Sequence, residues 1–323
     1  AIFWMASKMI NIGSLQVGQL VAFIEYLFHA MFSLMLFSNV FVMYPKAQVS
    51  AERIQEILDA EPMIKNPEQG ITETNNEGTL EFENVTFVYP DGEEPVIKNV
   101  SFSAKKGETI AFIGSTGSGK STLINLIPRF YDVTEGSIRI DGIDVRKFNL
   151  KALRKKIGFI RQKNLLFTGT IKSNIKFGKP HATHDEVENS AKIAQAYDFI
   201  TTKEKGFDEP ISEGGSNVSG GQKQRLSIAR ALVRKSEIYI FDDSFSALDF
   251  KTDAILRKAL KKETKDAIVL IVAQRIGSIM DADKIIVLDE GKVVGVGKHK
   301  ELLSTCNVYH EIALSQLTEE ELA

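Results

Sequence analysis

The sequence predicts an α/β domain on a largely parallel sheet, preceded by a transmembrane α-helix. Three observations carry this. The 24 residues from Leu20 to Met43 hold only two side chains that ionise between acidic and neutral pH, Glu25 and His29. Short apolar runs (KIGFI, EIYIF, AIVLIV and KIIVLD) recur between helical stretches, and a glycine-rich loop joins one such strand to a helix. Continuous apolar strands interleaved with helices form a sheet covered on both faces. The chain has 323 residues, 43% hydrophobic and 25% charged, which suits about two domains and excludes collagenous, low-complexity or wholly disordered chains. Its 40 basic and 42 acidic residues leave no net field directed at nucleic acid. The lone cysteine, Cys306, excludes an internal disulfide and a Cys-based zinc site.

The N-terminal AIFWMASKMINIG reads as the tail of an earlier hydrophobic segment and lacks the charged start of a signal peptide, so a fragment is expected. Leu20–Met43 is long enough, at about 1.5 Å per residue, to cross a bilayer core of about 30 Å. A buried helix of a soluble protein is the alternative, although helices apolar on all sides are uncommon there. Glu25 and His29, spaced i and i+4, share one face and suit either a polar pathway or an interfacial or interhelical position. Past Pro45, AQVSAERIQEILDAEP reads as an amphipathic helix with Val49, Ile54, Ile57 and Leu58 at helical spacing, stopped by Glu61 and Pro62. The polar MIKNPEQGITETNNEG reads as a linker.

The soluble part opens with strands. TLEFENVTFVYP alternates and is rich in β-formers, a turn follows at Asp91 and Gly92, and VIKNVSFSAKKG and ETIAFIG supply two more strand-like runs. TIAFI leads into Gly114-Ser115-Thr116-Gly117-Ser118-Gly119-Lys120-Ser121, a match to GxxxxGK[ST], and the helical STLINLI follows. Glycines let backbone N–H groups turn inward around phosphate oxygens, and the helix N-terminus adds partial positive charge. Lys120 is placed to reach the β- and γ-phosphates and the Ser121 hydroxyl to ligate Mg²⁺. A Gly-rich turn without a ligand is the bland alternative. EIYIFDDS then ends in Asp242 and Asp243 at a strand's C-terminal end, where a carboxylate can complete the Mg²⁺ site. Between these lies Val218-Ser219-Gly220-Gly221-Gln222 ahead of the helical KQRLSIARALV, a second anion-binding helix start. One nucleotide does not need both, so the second is expected to cover a nucleotide held by another subunit.

In this order the motifs resemble the ATP-binding cassette (ABC) transporters, specifically exporters whose membrane and nucleotide-binding domains are fused. The resemblance spans the whole chain and implies a P-loop NTPase cassette with a RecA-like core and antiparallel β and α-helical subdomains. In the family's terms Gly114 to Ser121, with Thr122 beside it, is Walker A. VSGGQ, with Val218 replacing the usual Leu, is the signature; IYIFDD is Walker B, its Asp242 on the metal; SALD from Ser246 to Asp249 is the D-loop. Tyr89 in FVYP matches the aromatic that stacks on adenine, and Gln162 in IRQ matches the glutamine that senses Mg²⁺ and contacts the membrane domain. The implied ligands are ATP and Mg²⁺. The implied partners are a second half-transporter, the lipid bilayer and an unidentified transported substrate, with no nucleic acid. The implied location is the cell membrane, multi-pass, with the nucleotide-binding domain in the cytoplasm. The organisation expected is residues 1–60 as the end of the membrane domain, with its last helix at about 20–43 and a cytoplasmic extension, 61–77 as linker and 78–323 as nucleotide-binding domain.

Two positions depart from the family pattern. After the Walker B aspartate the family carries a glutamate that positions or deprotonates water; here Asp243 is one methylene shorter, a shortfall of about 1.5 Å. In IVAQRIGSI the switch histidine is replaced by Gln274, which bonds a phosphate but neither carries charge nor passes a proton as imidazole does. Each alone is compatible with neutral drift in a working ATPase. Together they resemble the degenerate subunit of heterodimeric bacterial exporters. The chain's own site would then hold ATP and rarely cleave it, while Ser219, Gly220, Gly221 and Gln222 complete the partner's site. The competing readings are a homodimer with ordinary turnover, a regulatory ATP-binding module and a soluble DNA-maintenance cassette. The apolar run, the lack of a long heptad arm and the near-neutral charge oppose the last. Ser212-Glu213-Gly214-Gly215 stands where exporters carry GERG, so an arginine is missing. The basic clusters at 151–156 and 258–265 read as solvated helix faces, and His181, His184, His299 and His310 show no metal spacing.

Overall fold

In the computed structural model the described residues are 2–75 and 78–316. They form two units, Ala1–Met63 and Ile64–Ala323. The first unit holds α1 (Ile2–Asn11) and α2 (Val17–Leu58). Gln16 caps α2, its N–H donating to Gln19 Oε1 at 3.0 Å. At 42 residues α2 is long and apolar enough to cross a membrane, and none of its residues is buried. Glu25 and His29 lie exposed on it.

Pro45 sits inside α2 rather than dividing it, so the apolar and amphipathic stretches form one helix. Proline removes a single N–H from the ladder, and the polar half beyond it is braced by i, i+4 bonds. Gln48 donates to Glu52 at 2.9 Å, the Ser50 hydroxyl to the Lys46 carbonyl at 2.8 Å, and Gln55 to Asp59 at 2.7 Å. The helix stops at Leu58, ahead of Glu61 and Pro62 as expected.

The second unit begins within the polar stretch read as a linker, and Asn66, Ile71, Thr74 and Gly78 of that stretch bond the rest of the unit. Ile71 makes a parallel bridge to Phe148, and Asn66 Oδ1 accepts the Leu150 N–H at 2.9 Å. Asp141 accepts from the Gly78 N–H at 2.8 Å and from Thr74, with Lys156 at 3.3 Å. Burial pushes the Asp141 carboxyl up, but these partners outweigh it and hold it below the usual range.

The strands then follow the predicted runs. β1 (Thr79–Phe87) and β2 (Ile97–Lys105) pair antiparallel; β3 (Thr109–Ile113) leads through the glycine loop into α3 (Lys120–Leu126). Next come β4 (Glu135–Ile140), β5 (Ile143–Asp144), α4 (Leu150–Lys155) and β6 (Ile157–Ile160). A mostly helical section carries β7 (Gly169–Thr170), α5 (Ile171–Lys176), α6 (His184–Ile193), α7 (Tyr197–Thr201), β8 (Pro210–Ile211) and α8 (Gly220–Leu232). The chain returns through β9 (Ile238–Asp242), α9 (Phe250–Glu263), β10 (Ile268–Val272), β11 (Lys284–Asp289) and β12 (Lys292–Gly297) to α10 (His299–Thr305) and α11 (Asn307–Leu314).

The main sheet has the order β12-β11-β3-β10-β9-β6, parallel except for β12 at its edge. A second, antiparallel sheet runs β2-β1-β4-β5. Alternate residues of the central strands enter two cores. Ile110, Phe112, Ile240 and Leu270 face the antiparallel sheet and α3, whereas Ala111, Ile113, Phe241 and Ile271 face the helices. This two-sided burial is why the strands read as unbroken apolar runs. Each fully buried Ile, Leu or Phe stabilises the layers by roughly 1.5–3 kcal/mol. The parallel order also places the C-terminal ends of β3, β9 and β10 side by side, where α/β sheets bind ligands.

Candidate nucleotide-binding site

Gly114 leaves β3 with φ +155°, and a Cβ there would meet the Leu288 carbonyl oxygen at 2.0 Å. Only glycine fits. Gly117 has open space around it but a φ of +86°, so there conformation alone favours glycine. Gly119, at φ +95°, is the N-cap of α3. The loop therefore turns its backbone into a cradle at a helix start.

Lys120 is buried and curls back over this loop, donating to the Gly114 carbonyl at 2.9 Å, the Ser115 carbonyl at 2.7 Å and the Ser118 hydroxyl at 3.3 Å. Burial pushes its pKa below the ordinary lysine value, against the pull of Asp242 and Asp243. The Ser121 hydroxyl donates to Asp242 Oδ1 at 2.9 Å. These two oxygens, a hydroxyl and a carboxylate at the mouth of the cradle, form a donor set that fits a hard divalent cation such as Mg²⁺. Burial raises the Asp242 pKa, the Ser121 bond lowers it, and Asp243 raises it further.

Asp243 follows with φ +46°, a left-handed turn that ends β9, and its N–H bonds the Val272 carbonyl of β10 at 2.9 Å. Gln162 Nε2 donates to Asp243 Oδ2 at 3.2 Å, joining two of the three catalytic candidates. Burial pushes the Asp243 pKa up, opposed by the Gln162 bond. The third, Gln274, is exposed at the end of β10 and lines a small cleft with Asp243, Ser246, Arg275 and Ser278.

Tyr89 bonds Thr122 through its hydroxyl at 2.9 Å, which ties the predicted adenine platform to α3. Its ring lies edge-on to Tyr131 at 5.2 Å and to Phe87 at 4.8 Å. Tyr131 was not singled out from the sequence; no spacing rule marks it, since it reaches Tyr89 only through the fold.

Ser219 to Gln222 stand apart from this group. Ser219 caps α8 in a reciprocal box, its hydroxyl accepting the Gln222 N–H at 3.3 Å while Gln222 Oε1 accepts the Ser219 N–H at 3.1 Å. Among the described residues no hydrogen bond joins 219–222 to 114–122. A Cβ at Gly220 would meet nothing within 4 Å, and its φ is ordinary. Asp249 caps α9, accepting the Thr252 N–H at 2.9 Å, and this bond lowers its pKa. Gly214, where the family's arginine is missing, takes φ +62° in a short turn. Among the described residues no cluster of metal-ligating side chains occurs, and His299 is structural, its Nδ1 at 2.7 Å from the buried Tyr309 hydroxyl.

A strand, a glycine cradle with a buried lysine, and a carboxylate beside the helix-start serine define a P-loop nucleotide-binding fold. The comparisons agree. Residues 97–246 match the ABC transporter family model. An uncharacterized ABC transporter ATP-binding protein of Mycobacterium bovis is 41% identical over 320 residues, 98% of this chain and 55% of the relative. A putative multidrug export ATP-binding/permease protein of Staphylococcus aureus is 42% identical over 300 residues, 93% of this chain and 52% of the relative. The solved structure of a bacterial Atm1-family ABC exporter with ATP bound superposes with TM-score 0.82 at 32% identity, covering 95% of this chain and 54% of that one. The chain carries an ABC transporter ATP-binding domain. It spans about half the length of the curated relatives it matches.

Proposed function

We propose that this chain is the cassette-bearing part of an ABC exporter subunit paired with a second half-transporter. It binds ATP on its own glycine loop and covers a second ATP, held by the partner, with Ser219, Gly220, Gly221 and Gln222. The observation that supports this best is Gly220. Among the described residues neither its backbone angle nor a neighbouring atom calls for glycine, and its face at the start of α8 is open to close approach from outside.

On this reading Lys120 exchanges the Gly114 and Ser115 carbonyls for phosphate oxygens. Ser121 and Asp242 would hold Mg²⁺, whose charge would offset that of the phosphates. Tyr89 stacks on adenine, with Tyr131 bracing it from the edge. Bonds made only when two cassettes close around ATP give the closed pair the differential affinity that drives a conformational shift. Asp243 and Gln274 make this chain's own site slow, because the carboxylate is short and the switch residue cannot carry a proton. The α2 helix crosses the cell membrane as part of a multi-pass domain, with the cassette in the cytoplasm.

Cross-linking tests the pairing. In the membrane-embedded transporter, Ser219→Cys here should form an ATP-dependent disulfide with a cysteine placed in the partner's glycine loop. No cross-link under conditions where ATP is bound would overturn the shared site. A chain carrying both Ser115→Cys and Ser219→Cys, purified alone, separates the two partnerships: cross-links between identical chains mark a homodimer.

A further inference from the structure

The loop after β10 that presents Gln274 is held by a residue far along the chain. Gln316 Nε2 donates to the Gln274 carbonyl oxygen at 2.7 Å, and Gln316 Oε1 accepts the Ile276 N–H at 2.8 Å. A primary amide offers donor and acceptor side by side, so one side chain satisfies both backbone groups flanking Arg275, as an adjacent strand would. Ile276 is fully buried and opens the short turn Ile276–Ser278, which fixes the loop's other side. Between these fixed points Gln274 and Arg275 are exposed, and both line the cleft shared with Asp243.

The clamp is itself anchored. Gln316 follows α11, whose Tyr309 and Ala313 are fully buried, and its N–H bonds the Ala313 carbonyl at 3.0 Å. The Tyr309 hydroxyl in turn meets His299 of α10 at 2.7 Å. Gln316 makes no hydrogen bond to Lys120, Ser121, Asp242 or Asp243 among the described residues, so any influence on the site passes through the loop.

We infer that Gln316 is a positioning residue: its carboxamide sets the backbone of the Gln274 loop and thereby the rate at which this chain's site turns over ATP. The residue just past α11 then acts on the ATP site only through that loop, and the inference rests on the proposed reading of the site as one that binds ATP and turns it over slowly.

The test uses the assembled full-length transporter in lipid nanodiscs, in an Asp243→Glu, Gln274→His background where turnover at this site is expected to be highest. Gln316→Ala should lower kcat on the order of tenfold, the scale of a displaced catalytic group, with KM and Kd for ATP kept within about twofold. Gln316→Glu keeps the acceptor for Ile276 but repels the Gln274-position carbonyl, so it should fall between. Amide exchange at Ile276 should speed up in the same order. Unchanged kcat in Gln316→Ala, or equal losses of kcat and ATP affinity with no graded response, overturns the proposal. Lys120→Ala tests the underlying reading separately. If that variant leaves ATP binding intact, the ATP-site reading fails; if it abolishes binding while Gln316→Ala changes nothing, only the clamp fails.

Discussion

The two glycine-bearing helix starts, at α3 and at α8, look alike in sequence and differ in what they demand. At α3 the glycines answer to the chain itself: Gly114 has the Leu288 carbonyl where a side chain would sit, and Lys120 is buried against its own loop. At α8 the cap is complete within four residues and Gly220 faces open space. A glycine required by internal geometry marks a cradle already built. A glycine that nothing among the described residues requires, as at Gly220, leaves the helix start open, which is what the proposed contact with a partner's nucleotide needs.

Alanine at each position should therefore separate the two. Gly114→Ala puts a Cβ into the Leu288 carbonyl and forces an unfavourable φ, so a loss on the order of 4 kcal/mol or more is expected, read as failure to fold or a collapsed melting temperature. Gly220→Ala should leave stability unchanged or raise it by about 0.5–1 kcal/mol, since alanine is the better helix former. In the assembled transporter the same variant should cut ATP turnover roughly 10- to 100-fold, because the added methyl group keeps the N–H but holds the phosphate away from it, the scale of a misplaced reacting group. If Gly220→Ala hydrolyses ATP at the parent rate, the two helix starts are not complementary halves of shared sites.

A smaller effect concerns the carboxylate and the switch position. Asp243→Glu with Gln274→His should raise hydrolysis at this chain's site on the order of tenfold, measured by single turnover with Mg²⁺-ATP. ATP that binds normally but is cleaved no faster would remove the degenerate-site reading and leave the homodimeric alternative standing.

The sheet and the cradle were legible because their signals are local. Four to six apolar residues in a row specify a strand buried on both faces, and the spacing from Gly114 to Ser121 is set by one loop. What the sequence hid is contact across long separations. Nothing near Gly114 announces that Leu288 lies against it, nothing near Tyr89 announces Tyr131, and Gln316 reaches a loop 42 residues earlier in the chain. Local polarity likewise does not say which backbone groups a stretch will bond. MIKNPEQGITETNNEG reads as a linker, and within it Asn66 and Ile71 bond Leu150 and Phe148 at the start of α4, contacts that composition does not announce. Pro45 lies within α2, where one missing N–H does not stop a helix whose flanking turns are each held by their own ladder.

The smallest effect separates the built cradle from the open helix start by pH. Burial raises the pKa of Asp242 and of Asp243, and at Asp242 its neighbour adds to the rise. A carboxyl whose pKa is higher folded than unfolded binds its proton more tightly in the native state, so its ionised form costs stability. That cost is full above the folded pKa and vanishes below the ordinary aspartate value of about 3.9. Asp243→Asn keeps an oxygen for the Gln162 bond and removes one of the two charges. Without nucleotide its melting temperature should exceed the parent's at pH 7, and the gap should close as pH falls through that window. No such pH dependence is expected for Gly220→Ala, because no group near it changes charge with the substitution. A gap for Asp243→Asn that stays constant from pH 7 to below pH 4 would mean that crowding, not charge, strains the cradle. In that case Mg²⁺ would not be needed to relieve the pair of aspartates.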